Sequence, residues 1–162
     1  MKKQFILLVV VLVSACTVNK STNSMHPYNG DTIGCGDFVV YKLTNDNKEY
    51  ISIVVDMSSI ELEERQAYAI GKADVVNVTR KKFNGPIHTA LCNDVMSERP
   101  EEVLTESADG GVVEVIVGEL QQEKKEKGEP YTVTLVLQKV TFETSTIDYL
   151  RLDDVNVGWL PG

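Results

Sequence analysis

The feature that most restricts this chain is that, past residue 37, no stretch keeps a helical repeat. In its place stand short runs of β-branched and aromatic residues, broken by turn chemistry at intervals of roughly eight to twelve positions. Phe38-Val39-Val40-Tyr41-Lys42-Leu43 and Tyr50-Ile51-Ser52-Ile53-Val54-Val55 flank Thr44-Asn45-Asp46-Asn47-Lys48. Asn and Asp tolerate left-handed backbone, so this predicts a hairpin. Its second run is apolar on both phases, as expected near the middle of a sheet. Residues 66–70 and 74–79 read as two more strands, joined through Gly71-Lys72-Ala73. The segments 103–106 and 112–117 are expected to pair across Ala108-Asp109-Gly110-Gly111, whose glycines supply the positive φ of a tight turn.

Residues 131–142 make the longest alternating run. Tyr131, Val133, Leu135 and Leu137 share one phase, and the apolar phase then moves to Val140 and Phe142. That shift predicts a β-bulge near Gln138-Lys139. Two short strands, 147–152 and 155–160, finish the chain, with Trp159 closing the bottom of the core. The least regular part is 83–102, where 87–91 is expected as a short strand. The charged stretch 119–130, marked by Gly128 and Pro130, is expected as a solvated hairpin tip. Ser58-Ser59-Ile60-Glu61 fits a capping box, while Ile60 and Leu62 alternate with Glu61 and Glu63 as in a strand; the apolar spacing of two favours strand or loop. Together these predict an all-β chain, an antiparallel β-sandwich that is immunoglobulin-like or related, over residues 35–162.

The N-terminal stretch is of another kind. Lys2 and Lys3 precede an unbroken apolar run from Phe5 to Val13, and Val13-Ser14-Ala15-Cys16 ends it. Nine residues at ~1.5 Å each reach ~14 Å, too short to cross a ~30 Å hydrocarbon core. The order of basic start, short apolar run and small residues matches a cleaved export signal. Its ending resembles the lipobox of the bacterial lipoprotein class. That resemblance implies a signal peptide at 1–15, cleavage before Cys16, and a diacylglyceryl group with acyl chains such as palmitate on that residue. It implies a cell-envelope protein held on a membrane by covalent lipid. Aspartate after the cysteine tends to retain members of the class at the inner membrane of Gram-negative cells. Thr17 stands there instead and points to the outer membrane. Residues 16–34, rich in Ser, Thr, Asn and Gly, then read as the lipidated cysteine and a flexible tether. His26 lies within it beside Met25, and reads as a solvated tether histidine rather than a copper ligand.

Charge narrows the partners. Sixteen Lys and Arg face 24 Asp and Glu, and loss of Lys2 and Lys3 with the leader takes the formal charge from −8 to −10. Such a body is repelled by phosphate backbones, so nucleic acid is not an expected partner. Arg80-Lys81-Lys82 and Lys124-Lys125 read as solvated strand ends or turns. With Cys16 consumed by lipid, Cys35 and Cys92 remain as a pair in an oxidising compartment and read as one disulfide. On the loop-entropy model its closure stabilises the fold by roughly 4 kcal/mol.

Catalytic spacing is missing: the sequence contains no glycine-rich phosphate loop, zinc-protease motif or nucleophile elbow. The expectation is a non-enzymatic binding or structural accessory module with no catalytic residue and no resident cofactor, meeting an envelope protein or glycan. Two alternatives stand beside it. Reduced Cys35 and Cys92 with His88 would suit zinc, copper or thiol chemistry, and Asp148, Asp153 and Asp154 would suit a calcium loop. Tyr41, Tyr50, Tyr68, Tyr131, Tyr149 and Trp159 would suit carbohydrate stacking if three were coplanar and exposed.

Overall fold

The computed structural model describes residues 26–56, 64–71, 75–87, 91–92 and 100–158. Its elements in chain order are β1 (Thr32–Cys35), β2 (Val39–Leu43), β3 (Glu49–Val55), β4 (Arg65–Ala69), β5 (Val76–Phe83), β6 (Glu102–Ser107), β7 (Gly110–Ile116), α1 (Glu119–Glu126), β8 (Tyr131–Thr141) and β9 (Thr146–Val157). Two antiparallel sheets pack as a sandwich, one ordered β1-β2-β3-β5-β6 and the other β4-β7-β8-β9. The fold class expected from alternation is the one observed. Among the described residues no helix is long and apolar enough to cross a membrane.

Alternation decides what lies between the sheets. Val40, Ile53 and Val78 are cross-strand neighbours on the inner face of the first sheet. Val113, Val115, Val133, Leu135, Leu137, Leu150 and Leu152 meet them from the second. The sandwich closes along β1 and β9. A side chain on Gly34 would put its Cβ 1.7 Å from the Asn156 carbonyl oxygen, so only glycine lets these backbones approach. Nearby, the Gly158 N–H donates to the Gly36 carbonyl at 2.9 Å.

The expected β2–β3 hairpin is present, with Leu43 opposite Tyr50. The expected bulge in β8 is present. Gly110 faces Thr141 and Val112 faces Gln138, so β8 holds an extra residue, and Lys139 has φ +51°. A second bulge lies where two final strands were expected. Val133 faces Val155 and Leu135 faces Leu152, so Asp153 and Asp154 together oppose Thr134, and β9 runs on as one strand. Asp154 absorbs the extra residue at φ +53°.

Four expectations need correction. Residues 119–126 form α1, not a turn: the segment is built of strong helix formers, with Glu119 in the first turn and Lys124 and Lys125 in the last. It buries no residue, which is why no apolar period announced it. The strands 102–107 and 110–116 do not form a hairpin. β6 pairs with β5, β7 pairs with β4 and β8, and Ala108-Asp109 carries the chain between sheets. The tether expected over 16–34 gives way to folded domain at its C-terminal end. Tyr28 is 3% exposed in the core, the Gly30 N–H donates to the Leu43 carbonyl, and β1 begins at Thr32. Finally, Ile87 and Leu91 lie outside any strand. Residues 88–90, the 58–63 segment and Trp159 lie outside the described residues.

The excursion between β5 and β6 has a definite role. Leu43 and Tyr50 are neighbours on the outer face of the first sheet. They are buried with Phe83 and Ile87 in a second, smaller cluster, against which Ile33, Tyr41 and Leu91 pack. The Ile87 N–H donates to the Asn47 carbonyl at 2.7 Å, and Asn84 donates to Glu101. Cys92 meets Cys35 of edge strand β1 at disulfide distance, with Cα atoms 5.4 Å apart. The excursion from β5 is thus fastened to the opposite edge of the sheet.

Candidate functional site

The first sheet carries charge on its inner face at one end. Lys42, Ile51, Arg80 and Glu106 are successive cross-strand neighbours in one row, and Glu49 lies in the next. Arg80 follows Val76 and Val78 on the inward phase of β5, so strand geometry turns it into the sandwich. An unpaired guanidinium there would carry a large desolvation cost. The sequence supplies its partners on the flanking strands. Arg80 Nε donates to Glu49 Oε1 at 2.6 Å, and Nη1 donates to Glu106 Oε2 at 3.1 Å. Nη1 also reaches Ser145 Oγ at 2.9 Å and Thr144 Oγ1 at 3.2 Å in the β8–β9 turn. The Thr144 N–H donates to Glu106 Oε1 at 2.9 Å, which ties that turn across to the first sheet.

The N-terminal segment completes the arrangement. The Tyr28 hydroxyl donates to Glu49 Oε1 at 2.6 Å. Lys42 Nζ donates to the Gly30 carbonyl at 2.6 Å and to Thr32 Oγ1 at 3.0 Å. Burial alone would raise the Glu49 carboxyl. Hydrogen bonds from Arg80 and Tyr28, with the Arg80 charge, prevail and hold it below its usual value. The bond to Glu49 pushes the Arg80 guanidinium up in turn. Burial, reinforced by Glu49, pushes the Tyr28 phenol far above its usual value. Burial and then Lys42 lower the His26 imidazole.

Beside this network opens a cleft of about 200 Å³ between the N-terminal segment and the start of β9, lined by His26, Tyr28, Arg80, Ser145, Ile147 and Asp148 among others. His26 is therefore part of the domain surface rather than of a tether. A wider groove of about 350 Å³ lies on the other side of Pro27, between the β2–β3 turn and Lys82.

The residues singled out from sequence are dispersed. Cys16 and His88 lie outside the described residues. Cys35 and Cys92 stand at disulfide distance from each other. Asp148 borders the cleft, while Asp153 sits about 17 Å further along the same strand, where its Oδ1 accepts from Arg151 at 2.8 Å. Among the described residues no three metal-ligating side chains gather. Tyr41 and Tyr50 meet edge to face in the smaller cluster, Tyr131 is buried, and Tyr149 alone of the described tyrosines is exposed. These rings form no stacking platform.

Arg80 was the missed residue, because it stood in a run of three cations that read as solvent-facing. The signal was present in its phase, two positions beyond Val78 and four beyond Val76. Glu49, two positions before Ile51, carried the same signal. No protein-family model, curated protein or solved structure matches this chain.

Proposed function

We propose that the chain is a cell-envelope lipoprotein, lipidated on Cys16, whose β-sandwich is a non-enzymatic binding or structural accessory module for another envelope component. The supporting observation is how the N-terminal segment is seated. Tyr28 and Gly30 fix it to the charged end of the sandwich, so a chain anchored upstream holds the domain by that pole. Nine residues, and so ten Cα–Cα steps, separate His26 from Cys16. They reach at most ~35 Å and span ~18 Å on average if flexible. The body then stays close to the lipid surface with the opposite pole, bearing α1, directed outward. In a Gram-negative cell Thr17 assigns that surface to the outer membrane.

The charged network supports a structural role better than a catalytic one. Its Glu49 carboxylate is held ionised and its guanidinium is fixed by four acceptors, which leaves no proton to exchange near neutral pH. The cysteine pair, bonded to itself, offers no nucleophile.

Mass spectrometry of the mature N terminus, isolated from envelopes, tests the reading. A chain beginning at a lipid-modified Cys16 is expected, and Cys16→Ser should move the protein from the membrane pellet to the soluble fraction. An unmodified Cys16, or a mature start elsewhere, would remove the anchored-module reading.

A further inference from the structure

We propose that the cleft between residues 26–28 and the start of β9 binds a neutral amide group, the acylated amine that amino sugars and peptide backbones share. The donors come first. Nε and Nη1 of Arg80 are engaged, but Nη2 has no hydrogen-bond partner among the described residues. It is not sealed off either, since His26 Nδ1 is the one described buried side-chain polar atom without a partner. Arg80 lines the cleft, and Glu49 and Glu106 hold its guanidinium so that it cannot swing away from that space. His26 belongs to the same wall, with its unpartnered Nδ1 buried behind it.

Charge selects the acceptor. Glu49 and Glu106 both touch the guanidinium and the Asp148 carboxylate stands at the rim, so three carboxylates face Arg80 and the nearby Lys42, and one negative charge is left in excess. A carboxylate or phosphate would meet that excess, whereas a neutral carbonyl oxygen would not. Asp148 is exposed and has no partner among the described residues, so it presents an acceptor facing the same space. A ligand that accepts at one end and donates N–H at the other fits both. Pro27, Tyr28 and Ile147 supply apolar wall for an acyl methyl. At about 200 Å³ the cleft is below the ~300 Å³ at which drug-sized sites begin, so it suits one such group rather than an oligomer.

This binding does not depend on the lipid, and its failure would leave the anchor untouched. The exported full chain, in a detergent free of sugar and amide groups, is examined by saturation-transfer NMR. The probes are N-acetylglucosamine and N-acetylglycine methylamide, with glucose and acetate as controls. Saturation of the acetyl methyl in at least one amide probe is expected, with binding about fivefold weaker in Asp148→Ala. Whichever amide probe binds names the source. Acetate binding as well as the amides, equal binding by Asp148→Ala, or no saturation of either amide probe at about 20 mM would each overturn the proposal.

Discussion

The described residues form two apolar clusters, and they are closed by different means. Between the sheets, aliphatic side chains from both layers bury one another, with Ile51, Ile53, Leu135 and Leu137 fully enclosed. On the outer face of the first sheet, Leu43, Tyr50, Phe83 and Ile87 have no second sheet above them. Among the described residues their cover comes from Ile87 and Leu91, outside any strand, with Cys92 at disulfide distance from Cys35. A sheet brings its own hydrogen bonds and alternation to the face it covers. An irregular segment brings neither, and ordering it costs roughly 1–2 kcal/mol per residue in backbone entropy. A covalent link across a separation of 57 residues offsets part of that cost by restricting the unfolded chain. The larger cluster is held by area, the smaller by a bond.

The largest effect is expected inside the sandwich. Leu137→Ala, at a fully buried site, should destabilise the domain by about 4 kcal/mol, the loss of transfer energy plus a cavity. Urea unfolding followed by far-ultraviolet dichroism and by tyrosine emission should show one coincident, lowered midpoint. Separate midpoints for the two probes would mean that the outer cluster survives without the inner one. Next in size is Arg80→Met, which leaves Glu49 and Glu106 facing each other without their cation. A loss of about 3 kcal/mol is expected, less than for a fully sealed ion because the Arg80 side chain is 15% exposed. Restoration of most of that loss by adding Glu49→Gln would identify uncompensated charge, rather than lost packing, as the cause.

Cys92→Ser is expected to act on the outer cluster. About 2 kcal/mol should be lost, below the loop-entropy figure, because freeing the excursion does not require the sandwich to open. Hydrogen exchange should quicken at Ile87 and Asn84, whose amides bond to the Asn47 and Glu101 carbonyls, while Ile53 and Leu135 keep their protection. Equal loss of protection in both places would show that the two clusters form one cooperative unit.

What could be read in advance follows the same division. Strand alternation is local, so most strands, the β2–β3 hairpin and the β8 bulge were legible from residues such as Leu135, Leu137 and Val140. The sandwich class followed from them. Sheet membership was not legible: Gly110-Gly111 signals a change of direction but is silent on whether the chain returns beside β6 or crosses to the other layer. Leu43 and Tyr50 on the outward phase hinted at a covered outer face, yet the cover comes from residues more than thirty positions away. At the candidate site the phase of Glu49 and Arg80 was readable, but residue type argued for solvent and prevailed. Tyr28 sat in a polar segment with no periodicity, so nothing local announced its burial in the core or its hydrogen bond to Glu49.

The smallest expected effect separates hydrogen bonding from packing at that pole. Tyr28→Phe keeps the ring in place and removes one hydroxyl, at a cost of about 1 kcal/mol near neutral pH. The size of the difference should depend on pH. Glu49 has a folded value below its ordinary 4.5, so its share of stability is present above that value and is lost as pH falls through the folded one. A protonated Glu49 accepts more weakly from Tyr28, so the gap between wild type and variant should narrow in acid. Tyr28 has a folded value above its ordinary 10.0, so its share is complete below pH 10 and is lost as the unfolded phenol ionises above it. Phenylalanine has nothing to ionise, so the gap should narrow in alkali as well. Tyr131, which burial pushes up to about 12, adds an alkaline loss common to both proteins and cancels in the difference. Chemical unfolding at intervals from pH 3 to 11 should therefore give a difference with a plateau between about 4.5 and 10 and a fall on either side. A difference that stays flat across the whole range would mean that the hydroxyl contributes through ring packing alone. The N-terminal segment would then be held at that pole by apolar contact, as the interior is.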